Sequence, residues 1–350
     1  MTLLARDEAD VVDAQVAFHL HAGVDFVVAT DNRSEDGTTE ILERYERAGY
    51  LHLIHEAGDD MRQDEWVTRM ARLAATDFGA DWVINSDADE FWWPRKGSLK
   101  DVLALVPDRY GVVRGCWRHF PPRPSEGGDE LFAERMTARL CAPAHPGAKE
   151  TIFQAHQKVA HRADPEIYVA AGNHDAESAR LAPPLRGWHP LEILHFSLRS
   201  VAQLEHKTVR DWWSWTRSPH GPTLHHVLAH EAQQDGRLEE YFNEFAVSDD
   251  DLERGIAEGT LVTDTRLRDA LRMLRDGDGG FRLPDPEPAS ILAFPRPDVR
   301  EDALYAGESS VLVEIDGVVR AEKRVDAIEE RVAALERGPL SRVRRRLAPR

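Results

Sequence analysis

Residues 81–93 read DWVINSDADEFWW, and this stretch decides the fold. An apolar run of strand length leads directly into Asp87, Ala88, Asp89 and Glu90. Such a run, bounded by polar residues, is typical of a strand buried in a parallel sheet. In a strand, residues i and i+2 point to the same side, so we expect Asp87 and Asp89 to reach one ligand together. The stretch therefore predicts a buried strand that carries two carboxylates at its carboxyl end.

The chain before this stretch alternates strand-like runs with helical patterns. The strand-like runs are MTLLAR (1–6), DFVVATD (25–31) and YLHLIHE (50–56). The helical patterns lie at about 8–22, 36–48 and 62–79. Strands that alternate with helices of this length form βαβ units, with a parallel sheet covered by helices. We therefore predict an α/β fold.

Polar clusters follow three of these strands at the point where each one ends. They are Arg6-Asp7-Glu8, Thr30-Asp31-Asn32 and Asp87-Ala88-Asp89. In open α/β sheets the ligand binds outside the carboxyl ends of the strands. Because the three clusters fall at the same edge, we expect them to form one site.

The chemistry of the Asp87-Ala88-Asp89 cluster suits a substrate that carries a diphosphate. When the bond between a sugar and a nucleoside diphosphate breaks, negative charge remains on the diphosphate. A hard cation such as Mn²⁺ or Mg²⁺ neutralises that charge and prefers carboxylate ligands. An acidic pair alone is a weak signal in a chain with 62 Asp and Glu residues. Its place at a strand end, beside a second polar cluster, favours a site.

The order of these motifs carries a resemblance to a known family. The Arg6-Asp7-Glu8 start, the segment Asp31-Asn32-Arg33-Ser34-Glu35-Asp36-Gly37-Thr38 and the Asp87-Ala88-Asp89-Glu90-Phe91 segment resemble family 2-type glycosyltransferases. The likeness covers roughly residues 1–215 and is closest to the branch that includes family 92. It implies the GT-A fold, with a mixed, mostly parallel central sheet flanked by helices. It also implies an inverting hexosyltransferase that uses a nucleotide sugar, with a UDP-sugar as the default donor.

The resemblance also implies roles for individual residues. Glu8 and Asp31 would hold the nucleoside, Asp87 would face the ribose or the metal ion, and Asp89 would bind the metal ion. Glu90 would support the motif. In that family a histidine beyond the acidic motif often completes the metal site. His195, in EILHFSLRS, fits that role best and His174 is second.

Further candidates come from the residues themselves. Arg199 precedes a helix whose N-terminus could bind a phosphate, although an ordinary surface cation explains it as well. An inverting enzyme needs a base for the acceptor hydroxyl, and the candidates are Asp175 and Glu150. Sugars stack on aromatic rings, so Trp92 and Trp93 beside the motif are the favoured acceptor platform, with the cluster Trp212, Trp213 and Trp215 as another.

The rest of the chain divides into three parts. We predict a GT-A domain over residues 1–219, a helical and Pro-rich extension over 220–320, and a terminal amphipathic helix with an Arg-rich tail over 321–350. Capping patterns start helices at Ser98 and Ser200. Residues 119–150 are rich in Pro, Gly and charge, which predicts a long loop.

Charge and composition limit the partners. The net charge of −18 disfavours nucleic acid as a partner. Residues 337–350 nevertheless carry six Arg and no acid, so the tail either contacts an anionic membrane surface or is only a solubilising segment.

Two cysteines, no leader and no long apolar run predict a cytoplasmic protein, peripheral at the inner face of the membrane if the tail binds there. The acceptor would be a glycan or a lipid-linked sugar in cell-surface glycan synthesis.

Two other functions remain compatible with the same residues. A metal-dependent phosphohydrolase or nucleotidyltransferase could use the same carboxylates, although the chain has no P-loop and no Gly-rich nucleotidyltransferase loop. A non-catalytic assembly module could use the short heptad seam near the end of the chain, at Val325, Ile328, Val332 and Leu335.

Overall fold

The structure is a computed structural model. It describes residues 1–58, 62–124, 130–141, 152–153, 156–185, 189–218, 221–277, 280–284, 292 and 294. All of them belong to one compact unit, Met1–Pro297.

The described residues form both strands and helices, numbered in chain order. The strands are β1 (Thr2–Ala5), β2 (Val27–Asp31), β3 (Leu51–His55), β4 (Trp82–Asp87), β5 (Glu90–Pro94), β6 (Val112–His119), β7 (Ala138–Leu140), β8 (Gln157–Arg162), β9 (Tyr168–Val169), β10 (Ala176–Glu177), β11 (Leu191–His195) and β12 (Leu261–Thr263). The helices are α1 (Val12–His21), α2 (Thr38–Arg47), α3 (Gln63–Thr76), α4 (Leu99–Ala104), α5 (Phe132–Arg135), α6 (Val201–Arg217), α7 (Leu224–Gln234), α8 (Leu238–Asn243), α9 (Asp249–Glu258) and α10 (Arg266–Leu274).

Eight of these strands form the central sheet, in the order β3-β2-β1-β4-β8-β6-β11-β5. The pairs β3-β2, β2-β1, β1-β4 and β6-β11 are parallel. The strand β8 is antiparallel to both of its neighbours, and β5 is antiparallel to β11. The sheet is thus mixed and mostly parallel, with helices packed against it. The predicted GT-A-like α/β fold is confirmed, including its first four strands and the three helices between them.

The acidic motif differs from the prediction in one respect. The strand β4 ends at Asp87, and Ala88 and Asp89 form a turn before β5. The expectation that Asp87 and Asp89 lie on one face of the same strand was therefore wrong. The physical reason is the topology of the sheet, because β4 pairs with β1 and β8, whereas β5 pairs with β11. The chain must turn at Ala88 and Asp89 to change partners.

The segment predicted as a long loop over 119–150 contains regular structure. The helix α5 and the strand β7 lie within it, and β7 pairs antiparallel with β12. Phe132 and Leu140 are buried in the core, which explains why this part of the segment is held in place. The remaining residues of that prediction, 125–129 and 142–150, lie outside the described residues.

Two helix starts follow the predicted capping patterns. Ser98 accepts a hydrogen bond from Asp101 N, and the Asp101 side chain accepts one from Ser98 N, which completes a capping box at α4. At α6, Ser200 accepts from Gln203 N, while the Gln203 side chain accepts from Arg199 N instead of from Ser200 N. Both helices therefore begin where the sequence predicted.

Helices make up most of the described residues 221–277, which fall within the extension predicted to be helical and Pro-rich over 220–320. The helices α7, α8 and α9 pack with α6 around a second apolar core that includes Leu204, Phe242 and Phe245. The division of the chain at residue 219 stays a prediction. The predicted terminal helix and Arg-rich tail, 321–350, lie outside the described residues. No helix among the described residues is long and apolar enough to cross a membrane.

Candidate active site

A cavity of about 370 Å³ lies at the carboxyl ends of β1 and β4, the edge at which the polar clusters were predicted. On the side of the sheet it is lined by residues such as Glu8, Asp87, Asp89, Lys158 and His195. On the opposite side it is lined by one face of α6 and by the start of α7. The cavity is therefore enclosed between the sheet edge and the α6-α7 pair.

A buried lysine holds the first carboxylate of the motif. The Lys158 ammonium forms an ion pair with one oxygen of Asp87 and lies 2.9 Å from Glu90 Oε1. The other oxygen of Asp87 accepts hydrogen bonds from Gln63 Nε2 at 3.2 Å and from Asn173 Nδ2 at 3.0 Å. Desolvation lowers the pKa of Lys158, but the two carboxylates outweigh it and raise the pKa above its ordinary value. Asp87 is thus held in place by the protein's own donors.

The second carboxylate of the motif faces three nitrogen groups at a longer distance. Asp89 Oδ2 lies 3.8 Å from His195 Nε2, 3.9 Å from Arg199 Nη1 and 4.0 Å from Lys207 Nζ. Burial raises the pKa of Asp89, but the facing His195 and the cations Lys207 and Arg199 outweigh it and hold the pKa well below its usual range. Burial also lowers the pKa of His195, so its imidazole is neutral. Asp89 is an ionised carboxylate beside a neutral imidazole.

Glu8 connects the end of β1 to α6. Its Oε2 accepts from Arg199 Nη2 at 2.5 Å, and its Oε1 lies 2.6 Å from Lys207 Nζ. Arg199 also donates to both oxygens of Asp10, at 2.7 and 2.8 Å. The Arg199 side chain is only 1% exposed, whereas that of Lys207 is 28% exposed and lines the cavity. Lys207 is therefore the cation of this cluster that can meet a ligand.

Asp31 lies at the same sheet edge but does not belong to the described lining of the cavity. Its Oδ1 accepts from Ser34 N at 3.1 Å and from Ser34 Oγ at 2.6 Å, and its Oδ2 accepts from Thr39 Oγ1 at 2.5 Å. Both oxygens thus hold the loop that leads into α2. The structure places Asp31 in a supporting position for the cavity wall.

Trp117 is a cavity residue that the sequence did not single out. Its indole nitrogen donates to Glu90 Oε1 at 2.8 Å, and its ring stacks on His195 at 4.2 Å between centroids. The Lys158 ammonium lies 5.2 Å from the centroid of the same ring. Trp117 therefore fixes the orientation of the His195 imidazole and packs against the buried ion pair. His174 also lines the cavity, and its Nδ1 donates to Gln157 O at 2.7 Å.

The tryptophans fall into two groups. Trp92 and Trp93 were the favoured acceptor platform, but both are buried in the core, so that expectation was wrong. They belong to β5, a buried strand at one edge of the central sheet that the sequence did not reveal as a strand. Trp212 and Trp215 line the cavity, whereas Trp213 on the same helix is 63% exposed and lies outside the described lining.

The sequence offered two candidates for the catalytic base. Asp175 lies outside the described lining of the cavity, and its side chain lies 3.8 Å from Arg114. Glu150 lies outside the described residues. The catalytic role of either residue stays a prediction.

The donor groups that could hold a metal ion are few. No group of three His, Cys, Asp or Glu side chains in the described part of the chain forms a metal site. The available pair is Asp89 Oδ2 and His195 Nε2, because Asp87 is engaged by Lys158. A carboxylate oxygen and a neutral imidazole suit Mn²⁺, and a magnesium ion commonly takes one or two protein ligands with the rest from phosphate and water. The residues present therefore fit an ion that binds together with a phosphate ligand.

Comparison with known proteins places these features in context. The model of glycosyltransferase family 92 matches residues 5–214. No curated protein matches the chain. Among solved structures, S. aureus TarS 1–349 in complex with UDP-GlcNAc is 12% identical, with a TM-score of 0.33, over 62% of this chain and 70% of that one. The complex of the same protein with UDP is 12% identical, with a TM-score of 0.32, over 82% and 97%. A mycobacterial protein is 20% identical, with a TM-score of 0.25, over 34% of this chain and 40% of the mycobacterial chain's own length.

Proposed function

The chain belongs to glycosyltransferase family 92, and we propose that it takes its sugar from a nucleotide-sugar donor held in the cavity beside Asp87 and Asp89. One observation carries the proposal. His195 Nε2 and Lys207 Nζ each lie within 4.0 Å of Asp89 Oδ2, and all three residues line one cavity, so a carboxylate, a neutral imidazole and an ammonium are available to the same ligand. Such a combination suits a diphosphate accompanied by a divalent cation.

The charges of the cavity favour that pair of ligands. A diphosphate alone would be repelled by Asp89, and a divalent cation alone would be repelled by Lys207. Bound together they satisfy both sets of charges. We propose that Asp89 and His195 hold Mn²⁺ or Mg²⁺, which as a Lewis acid neutralises charge on the departing diphosphate.

The protein's own residues supply the preorganisation of the site. Lys158 holds Asp87 and Glu90, the two residues that flank the Ala88-Asp89 turn, so the turn is fixed before the donor binds. Trp117 fixes the His195 ring by stacking on it. Glu8 holds the Lys207 ammonium against the cavity. Groups that need no rearrangement during the reaction stabilise the developing charge most effectively.

The finer features of the function remain proposals that rest on the family resemblance and on the charge pattern. We propose a UDP-sugar donor, an inverting transfer to the hydroxyl of a glycan or a lipid-linked sugar, and a role in cell-surface glycan synthesis. We further propose that the protein works at the cytoplasmic face of the membrane, with the Arg-rich segment 337–350 on an anionic leaflet.

Calorimetry with nucleotides tests the donor site. UDP and GDP are titrated, each with and without Mn²⁺, into the wild-type protein and into Asp89→Ala. We expect one nucleotide to bind in a Mn²⁺-dependent manner, and the variant to lose that binding. Binding that is equally strong without Mn²⁺, or unchanged in Asp89→Ala, would contradict the metal assignment. Absence of binding by either nucleotide to the folded wild type would overturn the donor site.

A further inference from the structure

The carboxylates that the resemblance implies for the nucleoside are already engaged within the protein. Both oxygens of Asp31 accept hydrogen bonds from Ser34 and Thr39. Both oxygens of Glu8 are bound by Arg199 and Lys207. A nucleoside in this cavity therefore needs other partners, and the opposite wall of the cavity supplies them.

One face of α6 lines the cavity along much of its length. The residues of this face are Gln203, Leu204, Lys207, Thr208, Trp212 and Trp215. Their spacing keeps them on one side of a helix. Along the helix this face changes from charged to aromatic, because Lys207 is followed after five residues by Trp212 and after eight by Trp215. At 1.5 Å per residue, the two rings begin about 7.5 and 12 Å further along the axis.

Contacts with the sheet edge fix the direction in which this face runs. At its first half, Lys207 lies beside Glu8 and 4.0 Å from Asp89. At its second half, Ser214 Oγ accepts from Arg6 Nη1 at 2.8 Å, and the same nitrogen lies 3.2 Å from Asn32 Oδ1. Arg6 follows β1 and Asn32 follows β2. The tryptophan end of α6 therefore lies over the ends of β1 and β2, and the Lys207 end lies over the acidic motif.

The two cavity tryptophans are held by histidines of the following helix. Trp212 stacks on His230 with a centroid distance of 4.0 Å and an interplanar angle of 2°, and Trp215 stacks on His226 at 4.7 Å and 26°. Each ring is only partly buried and contributes to the cavity wall. A ring that is backed on one side by an imidazole is preorganised for a planar ligand on its remaining surface.

We infer that α6 holds the donor nucleotide, with the Lys207 ammonium on the diphosphate and the Trp212 and Trp215 rings against the base. The inference rests on the proposed function. The ends of neighbouring parallel strands are where nucleotides bind in open α/β sheets, so the rings lie at the base end of the cavity, away from Asp89. Stacking on tryptophan does not depend on which base is present, so these rings supply affinity for nucleotides in general.

Three kinds of probe separate the two ends of α6. They are the nucleoside diphosphates UDP and GDP, their nucleosides uridine and guanosine, and inorganic pyrophosphate, each titrated with Mn²⁺. In Trp212→Ala and Trp215→Ala we expect affinity for the nucleoside and its diphosphate to fall about 5- to 100-fold, the loss of one stacked base. Affinity for pyrophosphate should be unchanged. In Lys207→Met we expect the reverse, a fall of about tenfold for pyrophosphate and the diphosphate, with nucleoside binding retained.

The chain offers matched controls for both substitutions. Trp213→Ala removes an exposed ring from the same helix, and Lys100→Met removes a lysine that is paired with Asp25 far from the cavity. Both should bind every probe as the wild type does. If Trp212→Ala does not fold, Trp212→Leu keeps the apolar bulk and Trp212→Phe keeps a ring. The inference then requires leucine to lose nucleotide affinity and phenylalanine to keep it.

The outcomes distinguish this inference from the proposed function. If the wild type binds neither nucleotide, the donor site itself fails. If the wild type binds one, and the tryptophan variants bind it as well as Trp213→Ala does, the inference is wrong. A loss of sugar transfer in those variants with nucleotide affinity intact would assign the two rings to the acceptor instead. Pyrophosphate affinity that is unchanged in Lys207→Met would remove Lys207 from the diphosphate.

Discussion

The two ends of the central sheet carry two cavities of different character. The cavity at the carboxyl ends of the strands measures about 370 Å³, and the one at the amino ends measures about 560 Å³. The larger one is lined by apolar residues such as Phe26 and Phe78 and by charged residues, of which Lys100 and Asp25 form a pair that is exposed to solvent. In the smaller one, Lys158 and Asp89 are buried. Burying charge is costly, so a cluster of buried charges that lines a cavity marks the smaller cavity as the candidate site despite its lesser volume.

The largest expected effect is on the rate of sugar transfer, when one aspartate at each end of strand β4 is replaced in turn. Asp81 precedes this strand at the amino-end cavity, and Asp89 follows it at the carboxyl-end cavity. We expect Asp89→Asn to lower the rate of sugar transfer by at least about 100-fold, because the proposed metal ion would lose its carboxylate ligand, and stabilisation of a leaving group by a metal ion is worth several kcal/mol. Asp81→Asn should change the rate less than about twofold, since its side chain is exposed. Initial rates of transfer from a labelled nucleotide sugar measure both effects. Equal losses of rate in the two variants would mean that the two ends of β4 do not differ in function.

Replacing two lysines, one at each cavity, compares the two ends of the sheet by the free energy of unfolding. Lys158→Met leaves Asp87 and Glu90 without their buried partner, which should lower the free energy of unfolding by about 3–5 kcal/mol. Lys100→Met breaks an exposed pair and should cost about 0–1 kcal/mol. Urea denaturation followed by circular dichroism measures both values. A cost below about 1 kcal/mol for Lys158→Met would show that the Lys158 ion pair contributes no more than a surface pair does.

A buried histidine on α1, His19, should make the free energy of unfolding depend on pH. His19 Nε2 accepts a hydrogen bond from Trp92 N at 3.0 Å, and its Nδ1 donates to Gln15 O at 2.8 Å. Burial lowers the pKa of His19 to about 3. The pKa of His19 in the folded protein lies below its ordinary value near 6.5. The contribution of neutral His19 to the free energy of unfolding is therefore complete above about pH 6.5 and is lost as the pH falls towards 3.

The variant His19→Gln isolates this contribution. Between pH 6.5 and 5 the wild type should lose about 2 kcal/mol more of its free energy of unfolding than the variant does. Denaturation curves at a series of pH values measure the difference. Parallel losses in the two proteins would mean that His19 does not remain neutral in the folded state. Nucleotide affinity near neutral pH should be the same in both, because His19 lies outside the described lining of the carboxyl-end cavity.

Features that depend on neighbouring residues in the chain were predicted from the sequence, whereas contacts between residues far apart in the chain were not. The first four strands and their helices depend on local patterns of apolar residues, so they were predicted to within a few residues. Lys158 was missed because its partner Asp87 is 71 residues away, and a single lysine in a strand gives no local signal. Trp117 was missed for the same reason, since Glu90 is 27 residues away. Asp31 matched a motif, but a motif does not reveal that neighbouring hydroxyl groups already bind both of its oxygens.

The smallest expected effect concerns two helix caps, and it separates stability from function. Ser98 caps α4 beside the amino-end cavity, and Ser200 caps α6 beside the carboxyl-end cavity. Replacing either serine with alanine should cost about 1 kcal/mol of stability. Only Ser200→Ala should also weaken binding of the nucleotide, by a few-fold, because fraying of α6 loosens Lys207 against Glu8. If Ser98→Ala weakens nucleotide binding equally, the effect reflects overall stability, and α6 has no special part in holding the donor.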